Sequence, residues 1–201
     1  MKLDFEVLVP RIDAILARGL SAGLGQKGKQ VCIEAAICEA LNLPHGDDPQ
    51  CVAIAVRAFK IRLNDSNWSS PEARAAGLRN LGIAQLGSLG VVNDVEFARR
   101  MAHATIQVLI PALFRQIFTL DTPQHQKCRE AADRCADAAA DAARWADAAD
   151  AARWAAAAAA RWAAADAAAD AGNDSDHYLR ISAGLALTVL REMKSPGCEW
   201  V

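Results

Sequence analysis

The run from Ala131 to Ala171 constrains this chain more than any other stretch: 26 of its 41 residues are alanine, the rest are Asp, Arg, Trp and one Cys, and neither Gly nor Pro interrupts it. Alanine loses no side-chain entropy on entering a helix, so a run of this length without a breaker predicts helix throughout. A continuous helix over 123–172 would be roughly 70 Å long. A compact chain of this length has a radius of gyration of about 16 Å. Such a helix therefore has to project, break and fold back, or pack against a second copy. Trp145, Trp154 and Trp162 are nine and eight residues apart, so they point to different sides of a straight helix. They read as wedges between different neighbours, or as a partner-binding or self-association surface. Asp133, Asp137 and Asp141 repeat at i, i+4 with no histidine beside them, which fits a solvated face rather than a cation site.

The remaining sequence shows the helical interval repeatedly and strand alternation nowhere over a useful length. Phe5, Leu8, Ile12, Ile15 and Leu16 mark a first helix with its start near Pro10, and a glycine-rich loop follows from Gly19 to Gly28. A second helix is expected over 31–43, and a Pro-His-Gly-Asp-Asp-Pro turn ends it. A third, over 51–63, carries two apolar lines, which leaves the side bearing Arg57, Lys60 and Asn64 to face water. Ser70 and Pro71 start a fourth helix with Arg74 and Arg79 outside, and Asn93–Asp94 start a fifth that Pro111 kinks or splits. A last helix is expected over 178–193, with Trp200 docking on the body. The expected class is all-α: a multi-helix bundle of about seven helices in one domain, 1–201, with 123–172 as its long Ala/Trp-rich helix, broken or projecting.

Lys and Arg total 22 against 24 Asp and Glu, so no overall field recruits nucleic acid or an anionic membrane. Asp and Arg recur inside the Ala-rich run, which argues against a membrane span. Six cysteines accompany a start that mixes Lys2, Asp4 and Glu6 into its apolar residues, unlike a signal peptide. Reduced thiols in a cytoplasmic protein are expected.

Gly23, Gly25 and Gly28 satisfy G-x-G-x-x-G, and 23–29 satisfies G-x-x-x-x-G-K. The preceding segment reads as helix rather than strand, and Gln30 stands where a P-loop requires Ser or Thr, so neither nucleotide fold follows. What remains is a flexible loop with Lys27 and Lys29 leading into a helix N-terminus, an arrangement suited to an anion. Cys32, Cys38, His45 and Cys51 have spacings that match no zinc knuckle, and no metal or other cofactor is expected. Glu34, His45, Asp47, Asp48, Arg57, Asn64, Asp65 and Trp68 crowd polar groups beside apolar helix faces, where they pair with one another or with a ligand.

The phrases Val31–Ala36, Leu43–Val52, Asn64–Ser70 and Met193–Trp200 resemble an uncharacterised group of Ala-rich hypothetical proteins from bacteria and their phages. The resemblance spans most of the chain and implies a cytoplasmic setting and a mobile-element origin, with no assigned activity. The residues lead to a non-enzymatic binding protein whose polar segment, 23–70, takes a small polar or anionic, nucleotide-like ligand. In that reading Lys27 and Lys29 supply charge, Glu34, Asp47 and Asp48 bond hydroxyls, Arg57 meets an anionic group and Trp68 stacks. The alternative is a protein-interaction module, of the immunity, antitoxin or host-defence-blocking kind, acting through the Ala/Trp helix. An enzyme ranks third, because no nucleophile, base and orienter assemble in the sequence.

Overall fold

The computed structural model describes residues 3–112, 120, 122–127, 129–130 and 175–201, and the regular elements among them are all helical. The expected Ala-rich helix, with Trp145, Trp154 and Trp162, lies outside the described residues. Helix α1 spans Phe5–Leu16, α2 Ile33–Ala40, α3 Ile54–Asp65, α4 Pro71–Ala84 and α5 Asp94–Ala104. A π-helical turn, Thr105–Leu109, continues α5 ahead of Pro111; α6 spans Ser175–Glu192, and a 3-10 turn, Pro196–Trp200, follows. Among the described residues no helix is long and apolar enough to cross a membrane.

Local chemistry explains most of the starts. Asp4, Ser70 and Asn93 each accept a hydrogen bond from a backbone N–H three residues on, which satisfies a donor the helix leaves unpaired. Cys32 does the same for α2 through its sulfur, 3.3 Å from the Ala35 nitrogen. Helix α1 begins earlier than Pro10 suggested, because the Asp4 cap sets the start and Pro10 sits on the exposed side, where the carbonyl it leaves unbonded can be hydrated.

Helix α4 is the hub, packed by α1, α2, α6 and the closing turn. Gly77 gives the Trp68 ring its place on this helix, and Gly82 admits Ile33, whose Cδ1 would lie 2.8 Å from a Cβ there. The tail docks as expected, with Trp200 stacked on Phe5 at a centroid distance of 5.5 Å. Ser195 Oγ donates to Ala84 O at 2.5 Å and Gly197 N–H to Leu86 O at 3.0 Å. A side chain at 197 would overlap the Ile83 carbonyl.

Ion pairs fasten the helices from outside. Arg79 grips Asp13 with two bonds of 2.7 and 2.8 Å, tying α4 to α1, and Arg18 bonds Glu39 at 2.9 Å, tying α1 to α2. Glu96 sits between Arg99 and Arg100, and Arg100 also reaches Glu192 on α6. The Arg99 hydrogen bond, aided by Arg100, holds the Glu96 carboxyl down to about 2. A folded value below the ordinary one gives stability that is complete above pH 4.5 and is lost as the pH falls through 2. Because the cluster is part-exposed, Glu96→Gln is expected to cost about 1 kcal/mol at pH 7. Urea unfolding should find the difference shrinking as the pH falls from 4.5 and closing only below about 2.

Candidate functional site

Helix α3 is rolled from its sequence reading: Val56 and Leu63 of one apolar line are buried as expected, but Ile54 and Ala58 of the other are exposed. Lys60 and Asn64, expected to face water, are fully buried, whereas Ile54 is 62% exposed. The reason is pairing: Lys60 Nζ stands 3.1 Å from Glu34 Oε1, with both side chains fully buried, and Gln85 of the α4 C-terminus donates to Glu34 Oε2 at 2.9 Å. Two apolar lines could not both be buried once this charge pair claimed the interior face. Burial pushes the Glu34 carboxyl up and the Lys60 ammonium down, and each charge partly reverses the other's shift. Lys60 Nζ and Glu34 Oε1 thus have each other as partner in the ion pair, and Gln85 Oε1 lacks a hydrogen-bond partner among the described residues.

The start of α3 lacks a cap of its own. Ser88 Oγ accepts from Ala53 N–H at 2.9 Å and Asp94 Oδ1 from Ala55 N–H at 2.7 Å, so the loop before α5 and the first residue of α5 cap it from across the molecule. Leu89, Val91 and Val95, near this junction in the chain, are exposed like Ile54.

The glycine loop folds against the other end of α3. Asn64 Nδ2 donates to Ser21 O at 2.9 Å and to Asp65 Oδ1 at 2.8 Å, and its Oδ1 accepts from Ile33 N–H at 3.2 Å. Asp65 Oδ1 also accepts from Gly23 N–H at 2.8 Å. Leu20 and Gly25 form isolated bridges to Val31. Gly25 has φ +71°, and a Cβ there would lie 2.7 Å from the Val31 Cα, so the close return of the loop depends on glycine.

Between this loop, α2 and α3 lies a hollow of about 30 Å³ whose wall includes Gly23, Leu24, Glu34, Asp47, Asn64 and Asp65. Four of the residues expected from the sequence, Glu34, Asp47, Asn64 and Asp65, therefore meet in one place. Asp48 pairs with Arg57, whose charge also acts on Glu34. His45 Nε2 lies 3.4 Å from Gly25 O. Lys27 and Lys29 are exposed on the outer turn of the loop. Trp68 stands apart: it is 5% exposed, its indole N–H donates to Leu63 O at 2.9 Å, and its ring fills the space over Gly77. Its expected stacking role is corrected to a core one, because the ring has no open face to offer.

A second polar knot was not foreseen. Asp176 at the start of α6 is buried and accepts from Ser69 N–H at 2.9 Å and Ser69 Oγ–H at 2.6 Å. Arg74, expected outside, is buried because its Nη1 donates to Leu20 O at 2.9 Å. Ser175 Oγ adds a bond to Asn67 O at 2.7 Å. Sequence gives little warning of such a knot, since its members are separated by the whole Ala-rich section.

The thiols of Cys32 and Cys51 are pushed up by burial, and that of Cys38 up to about 11, so they stay protonated and poorly nucleophilic. Among the described residues no group of three His, Cys, Asp or Glu is placed to hold a metal. No protein-family model, curated protein or solved structure matches this chain.

Proposed function

We propose that this protein is a non-enzymatic helical binding protein whose ligand places one small polar group in the hollow between the glycine loop, α2 and α3. The observation that carries the reading is the convergence of Glu34, Asp47, Asn64 and Asp65, drawn from two helices and a turn, on that hollow. Charged groups gathered at a concave site, one of them fully buried, mark a binding-site candidate on physical grounds. At about 30 Å³ the hollow accepts a group the size of one or two waters. The rest of the ligand then lies over the exposed loop, within reach of its lysines. Protonated thiols support binding over nucleophilic chemistry.

Leu24 lines the hollow and is 42% exposed, so a larger side chain there blocks the entrance with little disturbance of the core. Thermal shift and native mass spectrometry against a panel of small polar compounds should find a stabilised complex. Leu24→Trp should weaken that complex at least about tenfold while leaving the melting temperature of the unliganded protein within about 2 °C. A ligand that binds the Trp variant equally well would remove the hollow from the reading.

A further inference from the structure

The starts of α3 and α5 lie side by side. Asp94 Oδ1 accepts from Ala55 N–H at 2.7 Å, Leu89 N–H donates to Cys51 O at 3.1 Å, and the Phe97 ring meets Phe59 edge-on at a centroid distance of 6.1 Å. Around this junction four large aliphatic side chains are left in solvent: Ile54 is 62% exposed, Leu89 54%, Val91 50% and Val95 47%. Ala58, one turn beyond Ile54, is exposed as well. Single exposed aliphatics are ordinary, but several gathered at one place mark a contact surface. The charged groups bordering it are matched: Arg57 pairs with Asp48, Glu96 with Arg99 and Arg100, and Arg100 also with Glu192. Arg62 is the exception. It follows Ala58 by one further turn of α3, is exposed, and makes no ion pair among the described residues.

We propose that this surface docks an amphipathic helix of a partner protein, which lays aliphatic anchors spaced i, i+4 and i+7 on Ile54, Leu89, Val91 and Val95 and turns an acidic residue toward Arg62. Extent and charge select this occupant. Four aliphatic side chains at about half exposure amount to a few hundred Å² of apolar surface, short of the roughly 800 Å² that each member of a stable dimer buries. That is too little for a second copy and suits one face of one helix. The chain's own Ala-rich run fits poorly, because 131–171 holds no aliphatic residue larger than alanine. With the bordering ion pairs closed, a strongly charged partner gains nothing here, whereas a single carboxylate completes Arg62. The surface is separate from the hollow, whose glycine loop folds against the other end of α3.

The test selects binders of the full chain from a display library of random peptides about 20 residues long, then titrates the selected peptides while NMR follows the methyl signals of Ile54, Leu89, Val91 and Val95. The selected sequences should converge on helix formers with aliphatics at i, i+4 and i+7 and an acid near one end, and they should shift those methyls. The double variant Ile54→Gln/Val95→Gln should bind them at least about tenfold more weakly, with its melting temperature within about 2 °C of the parent. Arg62→Glu should cost about threefold, and a lysine in place of the peptide's acid should restore it. A selection that returns no peptide, or peptides that are extended or bind the double variant equally well, overturns the proposal. So does a parent that sediments as a dimer while the double variant is a monomer, since a second copy would then cover the surface. Methyl signals that move when Trp145, Trp154 and Trp162 are replaced together would give the surface to the Ala-rich run instead and overturn it too.

Discussion

Replacing Lys60 by methionine is expected to lower the unfolding free energy by about 3–5 kcal/mol at pH 8, because it strands the fully buried Glu34 without its counter-charge. The pH dependence gives the mechanism away. Burial already pushes the Glu34 carboxyl above its ordinary 4.5, and without the ammonium it rises further. The folded variant then keeps a proton that the unfolded chain releases above pH 4.5, so its stability falls as the pH rises from there. Near pH 4 a neutral Glu34 removes most of the deficit. The double variant Lys60→Met/Glu34→Gln has no buried charge, and its amide can still bond Gln85; it should return to within about 1 kcal/mol of the parent or exceed it. Urea unfolding of the three variants at pH 4 and pH 8 checks each step. A deficit for Lys60→Met that stays constant with pH would mean that packing, not charge, sets the cost.

Gly77→Ala is the second large effect. A Cβ at 77 would enter the Trp68 ring, and that ring cannot retreat easily, since it is buried and its N–H is held 2.9 Å from Leu63 O. Overpacking of this kind costs about 3 kcal/mol, even though alanine is the better helix former. The two residues act as one unit. Trp68→Leu alone should cost a similar amount through the cavity and the lost hydrogen bond. The double variant Gly77→Ala/Trp68→Leu should be more stable than the sum of the single costs implies, by at least about 1 kcal/mol. Denaturant midpoints of the four proteins give the coupling directly. Strict additivity would show that the glycine matters for some reason other than the indole.

These two sites also mark where sequence reading succeeds and where it stops. The caps at Asp4, Ser70 and Asn93 were legible or nearly so, because a cap acts within four residues. The orientation of α3 was not. Hydrophobic periodicity assumes that charged residues face water, and Lys60 breaks the rule only because Glu34, on another helix, waits for it. Its caps were hidden for the same reason: Ser88 comes from a later loop and Asp94 from the start of α5. Trp68 looked like a ligand platform because it lies in a polar stretch, yet the glycine that receives its ring lies one helix further on. The Glu34, Asp47, Asn64 and Asp65 cluster was visible as a crowd of polar groups, although the hydrogen bonds that tie Asn64 and Asp65 to the glycine loop and to Ile33 were not.

The long-range packing of α6 on α4 has a bearing on biosynthesis. Leu78 and Leu81 of α4 and Leu190 of α6 are buried in one core, although α6 is the last long helix in chain order. During translation, Leu78 and Leu81 leave the ribosome long before their cover exists. A truncated product that ends before Ser175 would carry that greasy seam uncovered and become a client for chaperones or proteases. Completion of this core therefore waits until α6 has been synthesised.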